Sequence, residues 1–267
     1  FNQGVDARLF TEEIVELLSR IAIRPLRIAF DDIKTFPSYN KAIRMSAAAG
    51  LKDFSNYLLY NFVDKPLDLY QRLRINVELC DELNVNIYSF PMKYHPIRKG
   101  KDDAEDLSHN RDYIGKHWNR KYIRAIQAIL NSTKGKVGKG ITFFLEAFGN
   151  DETEYMELLE MPETFILYRF FFKWLDEKCS MGTDHWRQCW SHCMNTLAED
   201  EKQLVLDIIH TNTFYKEELE AVTSADALKL LNFYTNYRKD IITPGTELYR
   251  LKQEYDENPT IQLRRKK

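Results

Sequence analysis

Polar side chains follow apolar runs at four places in the first hundred residues, and these are the groups best suited to bind a ligand. The four clusters are Gln3, Asp6 and Arg8; Asp31 and Asp32; Tyr60, Asn61 and Asp64; and Ser89, Lys93, Tyr94 and His95. Carboxylates, amides and guanidinium groups can hold the hydroxyl, amino and carboxylate groups of a small molecule. Any one of them could instead cap a helix or satisfy a loop amide. Four clusters in the same relation to four apolar runs predict a shared binding edge.

The segments that position these clusters alternate between two hydrophobic periods. Short apolar runs suit buried strands, and longer segments with apolar residues three or four apart suit helices. The predicted order is a strand ending at Phe1–Val5, a helix from Thr11, a strand over Leu26–Phe30, a helix over Tyr39–Ala49, a strand over Phe54–Phe62, a helix over Leu67–Leu83 and a strand over Val85–Phe90. This alternation predicts parallel strands with right-handed crossovers, in an open doubly wound sheet or in part of a barrel. In either arrangement the carboxyl ends of the strands carry the ligand site.

The remainder of the chain changes character after the charged segment Lys99–Asp103. Helical periodicity continues to the carboxyl terminus without a convincing strand. The sequence therefore predicts two domains, an α/β domain over residues 1–98 and a mainly α-helical domain over residues 99–267. The predicted helices of the second domain are 119–130, 142–148, 153–159, 162–178, 185–197, 200–212, 216–221, 225–236 and 244–255.

Composition excludes several functional classes. The 267 residues carry a formal charge of −2, so no global attraction to nucleic acid or anionic lipid is expected. Four cysteines do not make a disulfide scaffold in a chain of this size, and the sequence shows no secretory signal and no apolar stretch of membrane-spanning length. These features predict a cytoplasmic protein that binds neither membrane nor nucleic acid.

Three further features leave alternatives open. His185, Cys189 and Cys193 recur at helical spacing and could offer soft ligands to a metal, but the stripe lacks the close cysteine pairs of structural zinc sites, so a packing face is favoured. The glycine- and lysine-rich segment Lys134–Gly140 could cradle phosphate, but it lacks the Walker order and follows no strand. An exposed, mobile connector is the favoured interpretation.

The aromatic stretch Phe165–Trp174 covers more than one helix face, which favours core packing or a domain interface over stacking on nucleic acid.

The four strand ends also resemble a known family. The succession FNQGVDARL, RPLRIAFDD, DFSNYLLYNFVDKPLDLYQRL and NVNIYSFPMKYHPI resembles the later strands of the barrel of radical S-adenosylmethionine (radical SAM) enzymes, in an uncharacterised bacterial subgroup. The likeness to the superfamily covers about residues 1–97, and the likeness to the subgroup continues through Asn110–Gly115 into the helical region. It implies an α/β fold in which about four parallel strands with their helices form a partial (β/α) barrel, followed by a helical domain.

The resemblance also implies cofactors. Such enzymes hold a [4Fe-4S] cluster on three cysteines of a CxxxCxxC loop and cleave S-adenosylmethionine reductively to a 5′-deoxyadenosyl radical. This sequence lacks that loop, and its strands resemble the third to the sixth of the barrel. The chain also opens without an initiator methionine, so we expect a longer protein whose amino-terminal barrel half binds the cluster. An external electron donor is implied as well. The substrate and an upstream cobalamin-binding domain are left open.

Carried over by position, the resemblance implies a set of cofactor contacts. Gln3, Asp6 and Arg8 would face the cofactor, and Asp31 or Arg8 would meet its carboxylate or ribose. Asn61 would reach the ribose, and the turn at Ser89, Phe90 and Pro91 would pack the adenine. No metal ligand and no catalytic residue is predicted within this chain. The competing interpretations are a non-catalytic α/β and helical binding module, and an inactive truncated remnant.

Overall fold

The computed structural model describes residues 4–96, 112–179 and 181–261 of the chain. The described residues belong to two compact units, residues 1–159 and residues 160–267. Among them, no helix combines the length and apolar character that would let it cross a membrane.

The first unit is built on a parallel sheet. Its strands are β1 (Leu26–Arg27), β2 (Asp53–Tyr60) and β3 (Asn86–Lys93), in the spatial order β1-β2-β3. The predicted first strand is represented by a single parallel bridge, in which the Val5 amide donates to the Arg27 carbonyl at 2.9 Å and the Val5 carbonyl accepts from the Ala29 amide at 3.0 Å. The prediction of an α/β fold with parallel strands is confirmed.

Six helices accompany this sheet among the described residues: α1 (Glu12–Ser19), α2 (Phe36–Ala48), α3 (Pro66–Leu83), α4 (Arg120–Ser132), α5 (Ile141–Phe148) and α6 (Glu152–Glu160). Their ends follow local capping rules. The Thr11 hydroxyl accepts from the Ile14 amide at 3.2 Å, and the Asn119 side chain accepts from the Tyr122 amide at 2.7 Å. Gly50 follows α2 with a φ of 94°, a conformation that glycine adopts without strain.

Helices α2 and α3 cover one face of the sheet. Phe54 and Leu58 of β2 are fully buried on that face. A buried polar chain crosses the same layer: the Tyr39 hydroxyl donates to the Asn76 side-chain oxygen at 2.8 Å, Asn56 donates to Tyr39 at 2.7 Å, and Asn76 donates to the Ser89 hydroxyl at 2.8 Å. Because every member has a partner, the network fixes how the helices sit on the strands.

The helices α4 to α6 belong with the sheet rather than with the rest of the helical region. The predicted domain boundary between residues 98 and 99 lies outside the described residues, whereas the first compact unit extends to Leu159. The reason is the aromatic outer side of α3. The Tyr70 ring lies 5.5 Å from that of Phe144 and 4.8 Å from that of Tyr155, and its hydroxyl donates to the Gly149 carbonyl at 3.1 Å. That aromatic surface is buried only when α5 and α6 cover it.

The three lysines of the segment Lys134–Gly140 are exposed, as its composition predicts, but Val137 is buried and pairs with a strand. Val137 forms an antiparallel bridge with Ser89 through two hydrogen bonds of 2.7 and 2.8 Å and is 3% exposed. The Lys139 ammonium donates to the Asn84 side chain at 2.9 Å. This segment therefore satisfies backbone groups along one edge of β3, where an unpaired strand would otherwise be exposed.

The second unit is helical over its described residues. Its helices are α7 (Glu163–Leu167), α8 (Arg169–Cys179), α9 (Thr183–Thr196), α10 (Glu199–Thr211), α11 (Lys216–Glu220), α12 (Ala225–Thr235), α13 (Tyr237–Ile242) and α14 (Glu247–Glu257). The helix predicted over 162–178 is interrupted at Tyr168, where ψ is 30°. No separate helix was predicted at α13, which begins two residues after the end of α12. Phe165, Phe172, Phe233 and Tyr237 form the aromatic core, with ring centroids 4.0 Å apart for Phe165 and Phe172.

Candidate cofactor-binding face of the sheet

A buried arginine of α3 organises the carboxyl ends of the strands. Arg72 is 0% exposed and donates to the carbonyl oxygens of Phe30 at 3.2 Å, Asp31 at 2.8 Å and Leu59 at 2.8 Å. These carbonyls end two neighbouring strand segments, so a single side chain holds both ends in place. Arg72 is not among the residues that the sequence predicts for the site. One sequence feature could have indicated its burial: Arg72 lies one helical turn from Leu69 and from Asn76, on the buried side of an amphipathic helix.

Two carboxylates accompany this guanidinium. The Asp64 carboxylate lies 3.5 Å from Arg72 and accepts a hydrogen bond from the Phe62 amide at 2.9 Å. Desolvation raises the pKa of Asp64, and the positive charge of Arg72 acts in the opposite direction. The pKa of Asp31 is also raised by desolvation against the attraction of Arg72. Asp31 lies four residues beyond β1, with its backbone carbonyl held by Arg72, and it is partly desolvated although the residue as a whole is exposed.

Asn61, the predicted ribose contact, is fully buried and adopts a φ of 69°. Its side-chain amide donates to the carbonyls of Tyr94 at 3.2 Å and Tyr113 at 3.0 Å, and its side-chain oxygen accepts from the Gly115 amide at 2.8 Å. The residue therefore ties the end of β2 to two later segments. A contact with a ribose would require at least one of these hydrogen bonds to be exchanged.

The predicted contacts at the amino terminus interact with each other. Asp6 accepts from the Arg8 amide at 2.9 Å and from the Arg8 side chain at 3.0 Å, and these hydrogen bonds lower the pKa of Asp6 to about 2. Gln3 lies outside the described residues. Because Asp6 already pairs with the Arg8 guanidinium, an acidic group of a ligand would have to compete with Asp6 for Arg8.

The three predicted adenine contacts of β3 divide between the two faces of the sheet, because successive side chains of a strand point in opposite directions. Ser89 is buried and accepts from Asn76, and Pro91 stands in register with the buried Leu58. Only Phe90 points to the opposite face, where its ring lies 5.9 Å from that of Tyr57. Phe90 is thus the residue of this set placed to stack on a ligand.

The face that carries Phe90 is partly open and aromatic. Arg27 donates to the Ser55 hydroxyl at 3.1 Å and to the Tyr57 hydroxyl at 3.0 Å, and its guanidinium carbon lies 4.6 Å from the centre of the Tyr57 ring. Tyr57 is 40% exposed and Met92 is 47% exposed. Arg27, Tyr57 and Phe90 therefore form a continuous surface that could contact a planar group. Alternating polar residues within β1 and β2 could have indicated Arg27 and Tyr57 as site residues. The prediction considered only the polar clusters at the strand ends.

The described residues contain no group of three histidine, cysteine or carboxylate side chains placed to hold a metal ion. The stripe on α9 packs instead against α12: the Cys193 thiol contacts the Asp226 carbonyl at 3.4 Å, and the His185 ring meets the Phe233 ring edge-on at 5.2 Å. Desolvation raises the pKa of Cys193 to about 11 and also raises that of Cys189, so both thiols favour the protonated form. This arrangement agrees with the packing interpretation.

Comparison with protein-family models, with curated proteins and with solved structures found no match to this chain.

Proposed function

We propose that this chain forms the carboxyl-terminal part of the partial (β/α) barrel of a radical SAM enzyme. In the whole protein that enzyme would cleave S-adenosylmethionine reductively to a 5′-deoxyadenosyl radical, acting on a substrate that the sequence does not identify. The observation that carries the proposal is that, among the described residues, helices cover one face of the sheet and leave the other partly open. Parallel strands have α2 and α3 on one face, while Arg27, Tyr57 and Phe90 line the other.

A parallel sheet that helices cover on one face favours a barrel wall over a doubly wound sheet. A doubly wound sheet buries both faces under helices and has near-continuous apolar strands. Here the second face carries a guanidinium, hydroxyl groups and partly exposed aromatic rings. The inner surface of a barrel that holds a polar ligand has this composition, because a few polar groups must orient the ligand among apolar side chains.

The residues present fit one part of the cofactor. Phe90 and Tyr57 offer ring faces to an adenine, and Asp31, beyond the end of β1, offers a carboxylate to hydroxyl or amino groups. When bound next to a reduced iron–sulfur cluster, the cofactor supplies the radical, and these residues would bind and orient its nucleoside. The described residues do not fit the cluster itself, since Cys80 is buried under the sheet and Cys193 packs on α12. The cluster ligands would therefore come from a preceding part of the protein.

The alternative is a non-catalytic module that binds a nucleotide or a partner on the same face. The mutual pairing of Asp6 and Arg8 and the complete engagement of the Asn61 amide favour it. These residues, which the radical SAM resemblance assigns to the cofactor, already have protein partners. The two proposals differ in whether the whole protein carries a cluster.

The deciding experiment uses the full-length protein encoded by the gene. We expect a CxxxCxxC loop upstream of Phe1 and, after anaerobic reconstitution with iron and sulfide, formation of 5′-deoxyadenosine from S-adenosylmethionine under reduction. In the same assay Phe90→Ala should raise the KM for S-adenosylmethionine, whereas Phe143→Ala, which removes an exposed ring from α5, should not. Absence of the cysteine loop or of 5′-deoxyadenosine would refute the radical SAM proposal. Binding of nucleotide without either would favour the module.

A further inference from the structure

The second unit contains a cleft of about 740 Å³ between α8 and α14. Its volume falls within the range of about 300–1,000 Å³ that is usual for small-molecule sites. Every lining residue described for this cleft belongs to the second unit.

One wall of the cleft is aromatic. Tyr255 of α14 packs against Phe171 at 5.4 Å and Trp174 at 5.5 Å between ring centroids, and the planes of Phe171 and Trp174 are inclined by only 25°. Trp174 is half-buried, and Phe170 is 58% exposed at the rim. The Arg169 guanidinium lies over Phe170 at 4.8 Å and the Lys178 ammonium over Trp174 at 4.7 Å, so a planar ligand would stack on the opposite face of each ring.

The charges on the cleft are mainly positive. Its described lining contains three cations, Arg169, Lys173 and Lys252, and one carboxylate, Glu177. Arg169 and Lys173 are four residues apart on α8, so they lie on the same side of the helix. Lys173 is exposed and forms no ion pair with any described residue.

Lys252 of α14 is the third cation that lines the cleft. Its side chain is 16% exposed and pairs with Asp256, and its ammonium lies 5.8 Å from the centres of the Tyr168 and Tyr255 rings. Since Asp256 already balances the charge of Lys252, its main contribution here is contact with the rings, and the exposed Lys173 is the cation placed to pair with an anionic ligand.

We propose that this cleft binds a planar aromatic molecule carrying an acidic group. The ring packs against Trp174 and Phe170, and the acid group pairs with Lys173 at the rim. Rings without a cation would suit a neutral apolar ligand, and cations without rings would suit any small anion. A site with both rings and a cation favours a ligand that has both a planar ring and an acidic group. This proposal does not depend on the function proposed for the sheet.

The test titrates the 267-residue chain with three probes by calorimetry and tryptophan fluorescence. The probes are 2-naphthoate, its uncharged analogue 2-naphthylmethanol, and cyclohexanecarboxylate, which keeps the charge and lacks the aromatic ring. We expect 2-naphthoate to bind and each of the other two to bind at least about tenfold more weakly. No measurable binding of 2-naphthoate, or equal binding of naphthoate and naphthylmethanol, would overturn the proposal.

Two charge-removing variants locate the site. Lys173→Gln should weaken 2-naphthoate about tenfold and leave 2-naphthylmethanol unchanged, since it removes only the partner of the acid group. Lys229→Gln removes an equally exposed ammonium from α12, outside the cleft, and should bind as the unmodified chain does. Both lysines are exposed, so neither substitution should disturb folding. If the two variants bind 2-naphthoate equally, the naphthoate is held elsewhere and the proposal fails.

Discussion

The Arg72 guanidinium lies 3.5 Å from the Asp64 carboxylate and donates at 2.8 Å to the carbonyl oxygens of both Asp31 and Leu59. One side chain of α3 thereby fixes the relative positions of the strand ends from which a ligand site would be built. The guanidinium is fully buried and these carbonyls are partly buried, so removing Arg72 would leave several polar groups without partners.

We therefore expect Arg72→Met to lower the free energy of unfolding by about 3–5 kcal/mol, as is usual when one partner of a buried ionic network is deleted. Arg44→Met is the matched control. Arg44 forms an exposed ion pair with Glu82 at 2.6 Å, and deletion of such a pair costs about 0–1 kcal/mol. Urea denaturation of both variants measures the difference. Equal losses would show that Arg72 does not hold the strand ends as described.

Gly115 packs too closely on the end of β2 to accept a side chain. A β-carbon there would lie 2.5 Å from the Phe62 carbonyl oxygen and 2.9 Å from that of Asn61. Since both neighbours are backbone atoms, Gly115→Ala should displace the Asn61 hydrogen bonds and destabilise the unit by about 1–3 kcal/mol. Gly138→Ala should be nearly neutral, because its β-carbon would meet only the Tyr88 ring at 3.4 Å. Thermal unfolding compares the two, and a neutral Gly115→Ala would contradict the packing.

Tyr70 and Tyr155 are adjacent, but only one of their hydroxyl groups has a partner among the described residues. The Tyr70 hydroxyl donates to the Gly149 carbonyl at 3.1 Å, whereas the buried Tyr155 hydroxyl forms no hydrogen bond. Tyr70→Phe should therefore cost about 1 kcal/mol of unfolding free energy. Tyr155→Phe should be neutral or stabilising, since it removes an unsatisfied polar group. Chemical denaturation of the two variants measures the change in unfolding free energy. A larger loss for Tyr155→Phe than for Tyr70→Phe would show that the Tyr155 hydroxyl, and not that of Tyr70, forms the stabilising hydrogen bond.

Elements governed by local rules could be predicted from the sequence, because their determinants lie within a few residues. The Thr11 and Asn119 caps, the proline that begins α3 and the glycine after α2 all stand where local chemistry places them. The predicted strand ends likewise gather polar residues, although Asn61 turned out to be engaged with backbone groups.

Features that depend on distant pairing could not be predicted in this way. Val137 pairs with Ser89 across 48 positions of sequence, and nothing in a segment of glycines and lysines indicates that partner. The burial of Arg72 depends on where two strands end in space. The interruption at Tyr168 falls within a segment whose residues would all suit a helix. Each of these outcomes was decided by tertiary packing, which overrides local preference.

The four cysteines should react with iodoacetamide at different rates. Cys179 is exposed, whereas Cys80 is buried and desolvation raises the pKa of its thiol. Because the thiolate is the reactive form, Cys179 should be alkylated first and Cys80 and Cys193 last. Mass spectrometry of timed samples measures the order, and all four should react together in urea. Early modification of Cys80 in the folded protein would contradict its burial.

His185 should make the second unit less stable in acid. Desolvation and the charge of Lys229 lower its pKa below the usual 6.5, with Asp176 acting in the opposite direction, and its Nδ1 atom is buried without a hydrogen-bond partner among the described residues. The unfolded chain therefore binds a proton more readily than the folded one. The neutral side chain stabilises the fold above about pH 6.5, and this contribution decreases as the pH falls towards the lowered pKa of the folded state.

Replacement of His185 by phenylalanine tests this argument, because the ring can keep its contact with Phe233. His185→Phe should lose less unfolding free energy than the unmodified chain between about pH 8 and pH 5.5, since one protonation linked to unfolding has been removed. His117→Gln replaces an exposed histidine of the first unit and should retain the original pH dependence. The measurement is urea denaturation at both pH values. An unchanged pH dependence in His185→Phe would show that burial of this imidazole does not govern the acid sensitivity.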